Sequence, residues 1–299
     1  MSGLILASEA LADGVLTRHD LRRRFVKLHQ NVYAPAGMEL SARDRAYAAF
    51  LWSRRKAVVA GISAAAMHGA RWLPADEPAE LTRVRPGTSP GIRVHRDTVF
   101  DDEVCLVQSV DCTTAARTAF DMGRRMPLET AIIRIDSLLN ATRCPPAEIV
   151  AVARRHPGVR GMRRLRQALD LVDGGAESPQ ETRLRLLLVR GGLPRPVTQI
   201  PVTDARGRVV RRIDLGWPAY QVGVEYDGGL GAPPACGGHW TDPRAHAEDI
   251  GRLEFLAARG WIIVRVSARH LRDPDDVLRR AESALHRRGW PGPPRLYGL

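Results

Sequence analysis

Lysine is almost missing from this 299-residue chain: Lys27 and Lys56 are its only two, so a catalytic ammonium is excluded from everything beyond residue 56. Cysteine is scarce as well. Cys105, Cys112, Cys144 and Cys236 show no Cys-x-x-Cys spacing and lie too far apart for a familiar zinc site, which leaves free thiols in a reducing cytoplasm as the simplest account. No stretch approaches the roughly 20 apolar residues of a membrane span. The start, Met1-Ser-Gly-Leu-Ile-Leu-Ala-Ser-Glu9, has no basic region ahead of its brief apolar run and is not a signal peptide. No internal repeat is visible. These absences predict a soluble, cytoplasmic protein with no membrane partner.

Acids are the minority charge, 33 against 45 Lys and Arg, giving a formal net charge of +12 and a pI near 10.6. Such an excess favours a polyanionic partner, nucleic acid first, because each neutralised phosphate releases a counterion. It does not choose between DNA and RNA, and a GC-rich genome also produces Arg in place of Lys. At roughly 150 residues per domain the length predicts about two domains.

Against this basic background three carboxylates fall together, Asp214, Glu225 and Asp227, in Arg211-Arg-Ile-Asp-Leu-Gly-Trp-Pro-Ala-Tyr-Gln-Val-Gly-Val-Glu-Tyr-Asp-Gly228. Pro218 stops one strand from running through, so the segment reads as a β-hairpin. A turn centred between Pro218 and Ala219 sets position 214 opposite 223. Asp214, Gly223, Glu225 and Asp227 then share one face, with Ile213, Leu215, Val222, Val224 and Tyr226 on the other. Gly223 leaves open space beside charges that repel unless a cation sits among them, and a hard divalent ion such as Mg²⁺ or Mn²⁺ suits carboxylate oxygens. The other account is a solvated strand face.

The remaining elements follow from periodicity and punctuation. Leu4 to Leu11 reads as a helix, Gly14 breaks it, and Thr17 caps a second helix through Arg24; Phe25–Gln30 and Asn31–Tyr33 are strand-like. Two helices and a basic ribbon are the order of a winged helix, whose Arg18, Arg22, Arg23, Arg24 and Lys27 would contact DNA phosphates. The plainer account is a helical cap with a solvated basic face. Helices are expected at 46–53, 63–68, 113–122, 128–139, 146–154 and 162–172, and strands at 81–84, 92–95 and 104–107. His68 is expected to pack or hydrogen-bond in the core. Asp173-Gly-Gly-Ala176 is the best domain boundary. The predicted organisation is α+β: a module over 1–40, a small α+β domain over 41–173, an α/β-type core over 177–285 and an irregular tail over 286–299.

Ser178-Pro-Gln-Glu-Thr-Arg-Leu-Arg-Leu-Leu-Leu, Arg212-Ile-Asp-Leu, Val224-Glu-Tyr-Asp-Gly228, His239-Trp240 and Gly260-Trp-Ile-Ile-Val-Arg-Val266 together resemble the Vsr-like (very-short-patch-repair-type) endonuclease domains of the PD-(D/E)XK superfamily. The resemblance covers roughly residues 176 to 285. It implies a restriction-endonuclease-like mixed sheet flanked by helices and a metal-dependent site for phosphodiester hydrolysis. It would make Glu181 the acid of the first helix, Asp214 the central metal ligand and Glu225 the second. Asp227 would take the place of the superfamily's lysine, with His239 as the histidine after the glycine. Two departures stand out: the lysine is missing, and Gly229–Gly238 is inserted before His239, either displacing it or forming a lid. Ser178, Pro179 and Glu181 also fit a capping box, which explains Glu181 without chemistry. His246 and Asp249 share a helix face, as a surface couple or as site groups, and Arg252 is a candidate for the missing positive charge.

The N-terminal 170 residues are similar to AbiEi-type antitoxins, through Leu16-Thr-Arg, Gln30-Asn-Val-Tyr-Ala34, Ala60-Gly-Ile-Ser-Ala-Ala-Ala-Met-His-Gly69 and Asp111-Cys-Thr-Thr-Ala-Ala-Arg-Thr-Ala-Phe-Asp121. This likeness implies transcriptional control, a cognate toxin as partner, and no catalysis. Three functions are therefore carried forward: a metal-dependent DNA endonuclease, a non-catalytic DNA-binding regulator or antitoxin, and an RNA-binding or RNA-processing protein.

Overall fold

A computed structural model of the protein describes residues 3–82, 89–228 and 243–292, the side chains of 243–247 excepted. It is α+β, and its internal contacts divide into two units, Met1–Gly174 and Gly175–Leu299. Among the described residues no helix is long and apolar enough to cross a membrane.

The first unit opens with β1 (Ile5–Leu6), α1 (Ala7–Ala12), α2 (Arg18–Arg24), β2 (Phe25–His29) and β3 (Val32–Pro35). Helix α2 starts where the Thr17 hydroxyl accepts from the Asp20 N–H at 3.1 Å and the Asp20 carboxylate accepts from the Thr17 N–H at 3.0 Å. The strands form an antiparallel sheet in the order β1-β3-β2. The helix expected from Leu4 starts only at Ala7, because Ile5 and Leu6 pair with Tyr33 and Val32 while Leu4 and Leu6 pack against Val32, Ala34, Ala48 and Leu51. Ala48 and Leu51 belong to α3 (Ala42–Trp52), so residues on both sides of position 40 build one apolar cluster.

Next come β4 (Val58–Val59), α4 (Gly61–Met67), β5 (Ala79–Thr82), β6 (Ile92–His95), β7 (Val104–Val107) and β8 (Val110–Thr113), forming a mixed sheet ordered β6-β5-β4-β8-β7. Two-residue β4 is too short to show a period. Thr113 ends β8 instead of starting a helix, since the Thr114 hydroxyl is the one that accepts from the Arg117 N–H. Around α5 (Ala115–Arg125) pack α6 (Leu128–Thr142), α7 (Pro146–Arg155) and α8 (Met162–Leu169). His68 bonds the Thr113 carbonyl through Nε2 at 2.8 Å.

Gly61 is required by its neighbour as well as by its turn. Its φ is +52°, and a Cβ there would run into the carboxylate of Glu80, which is 3% exposed and held by His95 Nε2 at 2.9 Å and Arg93 Nη1 at 3.1 Å. Gly61→Ala is expected to lower stability by about 1–3 kcal/mol in urea unfolding, through left-handed strain and displacement of Glu80. An unchanged unfolding midpoint would show that Glu80 moves aside freely.

The second unit contains α9 (Pro179–Arg190), β9 (Val197–Thr203), β10 (Val209–Trp217), β11 (Val222–Asp227), α10 (Pro243–Ala257), β12 (Ile262–Ser267) and α11 (Pro274–Arg287). Its sheet runs β12-β11-β10-β9, with β11 and β12 parallel through the α10 crossover and the other pairs antiparallel. Leu184 and Leu188 of α9 and Val277, Ala281 and Leu285 of α11 cover one face, over Leu215, Trp217, Val222, Val224, Val264 and Val266. Leu256 of α10 covers the other, over Ile200, Val202 and Ile213. Trp290, expected in an irregular tail, is buried in the first of these clusters.

The hairpin turns one residue later than expected. A helical turn at Pro218–Tyr220 followed by left-handed Gln221 (φ 51°) brings Gly216, not Asp214, opposite Gly223. Moving the centre by one residue shifts the pairing by two, so side chains keep their faces on β11. On β10 they do not: Ile213 packs on the α10 side and Leu215 on the other. The paired positions Ile213↔Ile200 and Leu215↔Thr198 flank Asp214 and Gln199, and Gln199 is left-handed (φ 50°).

Candidate metal-dependent site

Asp214 sits where two strands part. Pairing of β10 with β11 is recorded for Trp217, Gly216 and Leu215, and one step further the N–H of Tyr226 donates to Asp214 Oδ2 at 3.0 Å in place of a strand carbonyl. The carboxylate therefore closes a fork in the sheet. Burial pushes its pKa up to about 7, the charges of Glu181 and Glu225 add to the rise, and the Tyr226 N–H and Arg252 oppose it.

Glu181 reaches this place from α9. Ser178 caps the helix by accepting from the Glu181 N–H at 3.2 Å, with Pro179 at the first helical position. The return half of the expected capping box goes elsewhere: Glu181 Oε2 accepts from the Glu177 N–H at 2.9 Å and from Gln199 Nε2 at 3.3 Å. The side chain thus points to Gln199 of β9 and is buried, which raises its pKa against those donors. Capping and placement at the site are one arrangement here.

Glu225, 2% exposed, lies on the α10 side of β11 and accepts from Arg252 Nη2 at 2.6 Å. Burial raises its pKa, and Arg252 and then Arg265 pull it back. Asp227 belongs to an adjoining set: Arg265 of β12, paired across from Glu225, joins Asp227 through Nη2 and Asp249 of α10 through Nη1, the latter at 2.6 Å. Asp249 is thus an ion-pair partner of Arg265. The space expected at Gly223 is filled, since a Cβ there would lie 2.7 Å from both Ile213 Cγ2 and Ile263 Cδ1.

The structure so brings together Glu181, Asp214 and Glu225 and sets Asp227 beside them in an Arg265 bridge. His239 and the 229–238 insert lie outside the described residues, as does the His246 side chain. Arg18, Arg22, Arg23, Arg24 and Lys27 are exposed on α2 and β2. Arg265 had a visible signal, a charge within the apolar run Ile262-Ile-Val-Arg-Val266. Gln199 had none, because a left-handed residue in a strand is not legible from its type.

Among the described residues no three His, Cys, Asp or Glu side chains form a ready metal cage. Mg²⁺ asks for less, commonly one or two carboxylates with water and phosphate oxygens completing the shell. Asp214 and Glu225, oxygen donors whose pKa burial raises, fit that demand.

No protein-family model matches the chain. Two proteins of Mycobacterium tuberculosis, Uncharacterized protein MT2308 of strain CDC 1551 / Oshkosh and Uncharacterized protein Rv2248 of strain ATCC 25618 / H37Rv, are each 27% identical to it over 258 residues, 85% of this chain and 87% of theirs. That length exceeds the first unit, Met1–Gly174, so the similarity extends over both units.

Proposed function

We propose that the protein is a metal-dependent DNA endonuclease of PD-(D/E)XK type. The observation that carries this reading is the convergence of Glu181, Asp214 and Glu225, from one helix and two diverging strands, on one buried place in the sheet. Asp214 and Glu225 would hold Mg²⁺ or Mn²⁺. The bound ion supplies Lewis acidity at the phosphate and an acidified water. Asp227, expected as a third ligand, is engaged by Arg265, which leaves the other two carboxylates for the metal.

Arg252 takes the place of the missing lysine. Its guanidinium already reaches Glu225 and is 31% exposed, so it orients that carboxylate and presents positive charge where phosphate charge builds up. Glu181, tied to Gln199 and Glu177, holds a proton more readily than an ordinary carboxyl and suits proton transfer near the reacting water. The exposed arginines of α2 would grip the duplex backbone.

The test is supercoiled plasmid with Mg²⁺ or Mn²⁺, with EDTA and an Asp214→Ala/Glu225→Ala variant as controls. Metal-dependent nicking that disappears in the variant is expected. Intact plasmid over a range of salt, with a gel shift still present, would overturn the nuclease reading in favour of the regulator or antitoxin, the second reading supported by α2 and its basic hairpin.

A further inference from the structure

Ile149–Leu169 contains six arginines, Arg154, Arg155, Arg160, Arg163, Arg164 and Arg166, and no acid. All six are exposed, on the last turn of α7, the connecting corner and α8. Their identity as Arg means little in a chain with two lysines, but their crowding means something, because like charges at this density repel. Arg155 is neutralised: it forks onto Asp102 and lies 4.6 Å over the Phe100 ring. Among the described residues no ion pair joins Arg154, Arg160, Arg163 or Arg166 to an acid.

The corner that presents them is fixed from beneath. His156 is 7% exposed, lies 5.0 Å from the Phe100 ring and 5.4 Å from Phe120, and bonds Glu103 Oε1 through Nε2 at 2.7 Å. Gly161 has φ +95°, and its α-carbon presses so closely on the Arg124 carbonyl that no Cβ fits. Leu165 and Ala168 of α8 are fully buried. A merely solvated basic turn has no use for such anchoring. A surface that must hold several cations in register against a polyanion does, because ordering them beforehand reduces the entropy lost on binding.

We infer that the α7–α8 corner is a second surface for the sugar-phosphate backbone of duplex DNA, in addition to α2. The inference rests on the protein acting on DNA but not on its cleaving it. Its contacts are to phosphate, so they add affinity without reading sequence.

The test is fluorescence anisotropy of a labelled duplex in EDTA across a KCl series, comparing the full chain with Arg154→Gln/Arg160→Gln/Arg163→Gln/Arg166→Gln and with the same four positions changed to Lys. The Gln variant is expected to bind at least about tenfold more weakly, with a log–log salt slope reduced by about 3–4, at roughly 0.9 per phosphate contact. The loss should be the same for unrelated sequences, and the Lys variant should restore the slope. Wild-type affinity and slope in a folded Gln variant would overturn the inference. So would tighter binding of duplex RNA that the Gln variant alone loses. A failed nuclease reading looks different, with DNA bound through this corner and never nicked.

Discussion

Asp214→Asn is expected to raise the unfolding midpoint at pH 8 while abolishing metal-dependent cleavage. Asn keeps an oxygen for the Tyr226 N–H, so the fork in the sheet stays closed. What it removes is a charge that burial and the neighbouring carboxylates disfavour. The folded-state pKa of about 7 lies above the ordinary Asp value, so the native state binds this proton more tightly than the unfolded chain. The stabilising protonation is complete below about pH 4 and is lost as pH rises through 7. The gain from Asn should therefore be near zero in acid, grow between about pH 4 and 7, and level off above. Three pKa units would correspond to about 4 kcal/mol, and residual water access at Asp214 reduces this to about 1–3 kcal/mol. Denaturant unfolding of both proteins at pH 4, 6 and 8 checks it. A gain that is flat with pH would mean that Asp214 is not strained by its charge. Mg²⁺ should raise the wild-type midpoint and leave that of Asp214→Asn unmoved, by binding linkage.

The largest loss of stability is expected at Arg117, which has no part in the candidate site. It is 1% exposed on α5, with Nε on Asp121 at 3.0 Å and Nη1 shared between the Thr98 carbonyl at 2.8 Å and Glu103. Arg117→Ala leaves two buried carboxylates without this cation, as well as a cavity, and should cost about 3–5 kcal/mol. Lys should restore only part of this, because one ammonium cannot occupy the three directions of the guanidinium fork. A loss below about 1 kcal/mol on urea unfolding would show that Glu103 and Asp121 find other partners. Because His156 bonds Glu103, the same variant loosens the corner that carries the α7–α8 arginines.

Much of the candidate site could be read before any coordinates. Ser178 and Pro179, three and two residues before Glu181, start α9 because a hydroxyl cap and a proline suit the first turn of a helix. Glu225 and Asp227 share a face of β11 because strand side chains alternate, and a misplaced turn of one residue does not change that. The two acids nevertheless have different roles, since the parallel strand β12 sets Arg265 across from Glu225 with its guanidinium on Asp227. That pairing joins residues 38 positions apart, and no local pattern encodes it.

By itself the sequence determined the charge and its sign, the absence of lysine from the second half, the helix caps, the strands of the carboxylate hairpin and the acids available to a metal. Those properties depend on residue type and near neighbours. Only the tertiary structure decided that Ile213 and Leu215 face opposite ways around left-handed Gln199, that Gly223 is packed instead of open, and that Arg252 lies on Glu225. It also decided that the arginines of α7 and α8 stand on a buried Glu103–His156–Arg117 base. Each of these is a contact between distant segments, set by which faces the sheets and helices bury together.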